Sequence, residues 1–259
     1  MRIAGSSLLR SNESFATACR RLEALGFDAV DVGAMAGWAH VEPAAIAADR
    51  HAVAETIRSG CGAAGLDPVA FNASAGTDDP AEERDRLLAL AELAADLDAT
   101  VMTIQGHSTD ASLEADLERC RQLTSALADR DVTVAIETHW GTHLEDPAVA
   151  SRYAAIDGLG LTLDPSHYVI GGYGFDAYEP LLPAVEHVHL RQGRDGWDEV
   201  QMPVDDGHVD VEGLLGALDE GGYDGIVSVE YIDSVGDVEP AWVEEQARGM
   251  RERIEAALA

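Results

Sequence analysis

Eight short apolar or β-branched runs recur along the chain, near residues 2–6, 28–32, 68–72, 100–105, 132–138, 159–164, 186–190 and 226–230. Each is followed by a longer amphipathic stretch rich in Ala, Leu, Glu and Arg, near 12–25, 46–64, 80–97, 111–129, 147–156, 176–183, 210–221 and 240–258. A strand buried on both faces reads as a short continuous apolar run, whereas a covering helix repeats its apolar positions every three to four residues. Start and stop signals punctuate the helical stretches: Asn12 before Glu13, Gly26 after Leu25, and the Asp79-Pro80 and Asp146-Pro147 pairs. Eight such alternations in 259 residues, with no Pro/Gly/Ser linker between them, predict an α/β chain folded as a single (β/α)8 barrel over residues 1–259. An open doubly wound sheet is the competitor, but no glycine fingerprint follows the first strand.

In such a barrel the active groups sit at the carboxyl ends of the strands. Alternation decides which side chains point inward there. On the fifth run Val132, Val134 and Ile136 face the helices, so Thr133, Ala135 and Glu137 face the interior. By the same parity Gly160, Thr162 and Asp164 point inward on the sixth run, His187, His189 and Arg191 on the seventh, and Ile226, Ser228 and Glu230 on the eighth. A lone strand-end carboxylate is ordinarily a helix cap or an ion-pair partner. Three carboxylates and a histidine converging in one mouth are different, because like charges a few ångströms apart resist ionising together unless a cation joins them. Oxygen and imidazole donors without cysteine suit one divalent ion, Mn²⁺ foremost, with Mg²⁺, Co²⁺, Fe²⁺ and Zn²⁺ as the other ions.

Composition removes several other chemistries. The 17 basic residues are all arginine, so Schiff-base chemistry, a pyridoxal-phosphate site and a P-loop, each needing a lysine amine, are excluded. Against them stand 48 acidic residues, a formal net charge of −31 that repels phosphate backbones and anionic lipid surfaces. Neither nucleic acid nor a membrane is an expected partner. The acidity fits a halophilic protein, whose carboxylates repel one another less at high salt. Cys19, Cys61 and Cys120 lack metal-ligand spacing and read as reduced core residues of a cytoplasmic protein. No 18-residue apolar stretch occurs.

The segments AIETHWG, LTLDPSH, VEHVHLRQG and GIVSVEY, with the closing stretch GHVDVEGLLGALDEGGYDGIVSVEY, resemble the strand-end motifs of the xylose-isomerase-like TIM barrels, the superfamily of sugar-phosphate isomerases and epimerases. The resemblance covers essentially the whole chain. It implies Glu137, Asp164, His189 and Glu230 as metal ligands, His167 as a substrate-orienting residue, and Arg191 at a position where many members carry Lys or Arg. Asp205, where glycine is commoner, and Gln192, which replaces an acid, depart from the pattern beside the site. The implied activity is divalent-metal-dependent isomerisation or epimerisation of a sugar, keto-polyol or related hydroxy-carbonyl compound by proton transfer through an enediolate. Glu137 and Glu230, three strands apart, are the expected catalytic acid and base.

A dehydratase of the inosose type on the same ring is the close alternative. An endonuclease IV-like DNA-repair hydrolase is disfavoured by charge and by a missing histidine-bearing motif, and a non-catalytic sugar-binding barrel by the complete ligand set. Further candidates for contact with a carbohydrate-like substrate are His107, Trp38 and Trp140, each equally compatible with packing. His139 and His143 read as neighbours of Glu137 or as surface groups, and His187 as a buried structural residue. Arg194, Trp197, Asp206 and His208 lie in a long connection that reads as a lid. Association of identical copies is left open.

Overall fold

The computed structural model describes residues 1–259. All eight expected strands form: β1 Arg2–Ser6, β2 Ala29–Met35, β3 Asp67–Ser74, β4 Val101–Ile104, β5 Thr133–Glu137, β6 Leu159–Leu163, β7 Val185–Leu190 and β8 Ile226–Val229. They run parallel, and β1 pairs with both β2 and β8, which closes the sheet and removes its edges. A two-residue strand, Ala39–His40, adds antiparallel to β2. The helices are α1 Phe15–Ala24, α2 Pro43–Ala64, α3 Pro80–Asp96, α4 Leu113–Leu127, α5 Pro147–Ala154, α6 Pro165–Ile170, α7 Phe175–Tyr178, α8 Val211–Glu220 and α9 Pro240–Ala257.

Helix starts follow local chemistry. The Asp79 carboxylate accepts from the N–H groups of Ala81 and Glu82, and Asp146 from that of Ala148, with proline at the first helical position in both cases. Each cap is worth about 1 kcal/mol, and proline there gives up an N–H that has no partner anyway. Three expectations need correction. α1 starts at Phe15 because Ser14, not Asn12, caps it by accepting from the Thr17 N–H. The stretch 176–183 is one α-turn followed by a 3-10 segment, Glu179–Ala184, since Pro180 and Pro183 supply no N–H to continue the ladder. α6 was not expected, being too short to show a period, and it is capped by Asp164 itself.

Alternation along the strands divides the core. Val32, Phe71, Met102, Val134, Ile136, Leu161, Val188 and Val227 join the helices' apolar faces in one large cluster outside the barrel. Inside, Ala4, Ala29, Val69, Ala70, Val101, Ala135 and Ile226 fill the floor, mostly small residues as the narrow interior requires. A register shift between β6 and β7 places Val185 in the outer cluster while His187 and His189 fall inside. Above the floor lies a polar layer: the Thr103 hydroxyl is 2.7 Å from that of Thr162 and 2.9 Å from His187 Nδ1, and His187 Nε2 is 2.7 Å from the Ser228 hydroxyl. The next layer up is the candidate site. All three cysteines are buried and unpaired. No helix is long and apolar enough to cross a membrane.

Candidate metal centre at the barrel mouth

Glu137 ends β5, Asp164 follows β6, His189 lies on β7 and Glu230 follows β8, and all four side chains are buried. Ligating atoms of Glu137, His189 and Glu230 lie within 4.8 Å of one another, as do those of Glu137, Asp164 and His167. His189 Nδ1 is 2.9 Å from Glu137 Oε1 and 3.4 Å from Glu230 Oε1. Asp164 is held by its own helix cap: Oδ1 accepts from the Ser166 N–H at 2.9 Å and the Ser166 hydroxyl at 2.6 Å. Its Oδ2 has no hydrogen-bond partner, although Arg191 Nη2 stands 2.9 Å away.

Arg191 fills the mouth. It donates to the Ser166 hydroxyl, to His167 Nε2 at 2.9 Å and to Glu230 Oε2 at 3.2 Å. His167 therefore accepts at Nε2 and carries its proton on Nδ1, which has no protein partner. Burial and the neighbouring His139 and Arg191 keep its pKa well below the usual histidine range. The two glutamates differ. Burial raises both, but the hydrogen bond and charge of His189 outweigh it at Glu137, leaving about 2, whereas Glu230 is raised to about 7 despite His189 and Arg191. His189 itself is raised well above its ordinary value, because Glu230, Asp31 and Glu137 together overcome burial.

A divalent cation fits this donor set. Four buried carboxylates, Asp31, Glu137, Asp164 and Glu230, crowd around the Arg191 guanidinium and the His189 imidazole, and one oxygen each of Asp31 and Asp164 makes no hydrogen bond. Oxygen donors with a single imidazole match a hard or borderline divalent ion.

Other predicted residues fall in different places. His107 lies on the rim in a cleft of about 550 Å³ between the β3–α3 and β4–α4 connections, 3.6 Å from Glu83 and 3.5 Å from Asp116. Trp38 is exposed on the β2–α2 connection. Trp140 packs over Gly171, where a Cβ would come 3.0 Å from its ring. His139 packs at a tilt against His167 with ring centroids 4.0 Å apart, and Trp197, from the connection after β7, lies 6.1 Å from both rings, stacked on that of His167. Arg194 ties that connection together through Glu199 and Asp206. Gln192 pins its far end: its amide donates to the Val209 carbonyl and accepts from the Val209 N–H, each at 3.0 Å. His187 belongs to the polar layer below, with its Nε2 also 3.8 Å from Asp31 Oδ2.

Sequence reasoning missed Asp31 and Asn72. Asp31 Oδ2 is 3.1 Å from His189 Nε2, and the Asn72 amide donates to Glu230 Oε1 at 2.8 Å. Parity would have found both, since Asp31 shares a face with Ala29 on β2 and Asn72 shares one with Ala70 on β3, and a carboxylate in so apolar a strand is itself a signal.

A closed eight-stranded parallel barrel with a carboxylate and histidine cluster at its carboxyl-end mouth defines the class: a (β/α)8 barrel of enzyme type. The chain belongs to the xylose isomerase-like TIM barrel family, whose model matches residues 19–253. Among solved structures it is similar to a xylose isomerase-like TIM barrel protein from Mycobacterium smegmatis in complex with magnesium, at 20% identity and a TM-score of 0.78, covering 100% of this chain and 98% of that one. It is also similar to the probable 3-DHS dehydratase AsbF from Bacillus anthracis, at 15% identity and 0.74, covering 98% and 100%. A third is 3-keto-D-glucoside 4-epimerase YcjR from E. coli, at 14% and 0.72, covering 99% of each chain. No curated protein sequence matches the chain. These likenesses establish the fold.

Proposed function

We propose that the protein is a divalent-metal-dependent isomerase or epimerase of a sugar, keto-polyol or related hydroxy-carbonyl compound. The observation that supports it most directly is the buried convergence of Glu137, His189 and Glu230, with Asp164 and His167 gathered on the same Glu137. Glu137, Asp164, His189 and Glu230 would hold the ion, which when bound supplies Lewis-acid stabilisation of negative charge on the oxygens beside it. The chain's own residues supply the rest. His167, neutral and with its Nδ1–H free, donates to a substrate oxygen, and Arg191 fixes His167 while balancing the charge of Glu230. Trp197 and His139 stand beside His167 at the mouth. Glu137 and Glu230 approach from strands three apart and exchange the proton α to the carbonyl, one removing it and the other delivering it.

The test is metal analysis of the purified protein, followed by a screen of ketoses and inososes in deuterated water. One divalent ion per chain and solvent exchange at a carbon next to a carbonyl are expected. Asp164→Ala and His189→Ala should each lose roughly 100-fold or more in metal affinity or turnover, at or beyond the upper end of what removing a ligand's supporting partner costs. Full metal content and full activity in both would sink the ligand assignment. Irreversible loss of water with little exchange would move the protein to the dehydratases.

A further inference from the structure

Asp31 lies fully buried in the middle of β2, a strand with every residue buried. A carboxylate there is costly unless a specific partner holds it. Its Oδ2 is 3.1 Å from His189 Nε2 and 3.8 Å from His187 Nε2, and its Oδ1 has no partner. The other contacts of the two imidazoles decide which one it serves. Both nitrogens of His187 are occupied, Nδ1 by the Thr103 hydroxyl at 2.9 Å and Nε2 by the Ser228 hydroxyl at 2.7 Å. His189 instead turns Nδ1 toward Glu137 and Glu230 and leaves Nε2 for Asp31. An imidazole that ligates a cation does so through an unprotonated nitrogen, and the hydrogen bond made by the other nitrogen sets which one that is.

We propose that Asp31 is a positioning residue: it accepts the Nε2–H of His189 from across the barrel, fixes the plane of the ring, and commits Nδ1 to the cation held with Glu137, Asp164 and Glu230. This rests on the metal-dependent function proposed above. The same atoms could serve otherwise only as a second cation site of Asp31, His187 and His189. That arrangement requires His187 to abandon one of its hydroxyl partners and His189 to bridge two ions.

Manganese titration by calorimetry of the wild type, Asp31→Ala and Asp31→Asn tests the role, with a melting curve of each metal-free protein alongside. Asp31→Ala should bind roughly 10- to 100-fold more weakly. Asp31→Asn should stand above it, because the amide oxygen can accept the same hydrogen bond. NMR of labelled imidazole nitrogens in cadmium-loaded wild type gives a readout that a merely structural role would not move: the ion's nuclear spin should couple to Nδ1 of His189. Coupling to Nε2, or wild-type affinity in both folded variants, would overturn the proposal while leaving the metal centre standing. Two tightly held cations per wild-type chain would favour the second site and overturn it too. Failure of the wild type to bind any divalent cation would instead overturn the metal centre, and this role with it. Should Asp31→Ala not fold, Asp31→Asn and the wild-type coupling still decide.

Discussion

The two halves of the barrel mouth are built to different ends. Strands β5 to β8 carry the four proposed ligands, Glu137, Asp164, His189 and Glu230, at their carboxyl ends, with Arg191 among them. Strands β2 to β4 place none of the proposed ligands. Their interior side chains reach across instead: Asp31 to His189, Asn72 to Glu230, and Thr103 to His187 and Thr162. One half carries the proposed ligands and the other hydrogen-bonds to two of them. Carboxylates crowded together tolerate one another only when each has a partner, and here the charged partners His189 and Arg191 come from β7 while the opposite strands add Asn72 and Asp31.

The largest effects should follow changes in the donor half. Replacing Glu137 or Glu230 by Gln keeps shape while deleting the base, so each variant should lose roughly 10²- to 10⁴-fold in net turnover. One variant should still exchange the α-proton of one substrate epimer with deuterated solvent, and the other variant that of the opposite epimer. Exchange from both epimers at the wild-type rate in either variant would show that the two glutamates do not divide the faces between them. Metal content must be measured beside the rates, since an empty site would mimic a lost base.

A smaller effect belongs to the supporting half. Asn72→Ala removes the hydrogen bond to Glu230 Oε1 and leaves that carboxylate to Arg191 and His189. Metal affinity or turnover should fall about 10-fold, the lower end of what outer partners of a metal site contribute. A loss as large as that of Glu230→Gln would break the division, because Asn72 would then be acting on the substrate itself.

The division also explains what was legible in the sequence. Eight strands could be placed because a doubly buried strand and an amphipathic helix carry different periods, and Glu137, Asp164, His189 and Glu230 stood out as polar residues at the ends of apolar runs. His167 and Arg191 lay two or three residues from a proposed ligand and came with it. Asp31 and Asn72 carried no such company: their partners are 158 residues away in sequence in each case. A contact across a barrel leaves only parity as its trace. His107 also follows a strand end, and there its backbone N–H is drawn outward to Asp116 while its ring lies beside Glu83 and Asp116 in the rim cleft. Helix starts were legible where Asp-Pro marked them and missed at Ser14, where the cap was one of several polar residues in a row.

That outward pull supplies the change with the least expected effect on the site. Asp116 is fully buried on α4 and accepts from the Tyr153 hydroxyl at 2.6 Å, the His107 N–H at 3.0 Å and Arg119 Nε at 2.7 Å, while Arg119 also donates to Glu83. Burial pushes its pKa up, but the Arg119 charge and these hydrogen bonds outweigh it and hold the carboxyl below its ordinary value. A carboxylate depressed in the folded state contributes stability that is present above its unfolded pKa of about 3.9 and is lost as pH falls through the folded one. Asp116→Asn should therefore lower unfolding free energy by about 3 kcal/mol at neutral pH, the scale of a broken buried ion pair. The gap to the wild type should stay flat down to about pH 4 and close only below it. Manganese affinity at room temperature should not move, because the network lies outside the barrel beside α3 and α4. Denaturant melts across pH, with a metal titration of each protein, measure both. A weakened metal site in a folded Asp116→Asn would mean that the rim and the mouth are coupled, and the supporting half would then extend beyond the barrel interior.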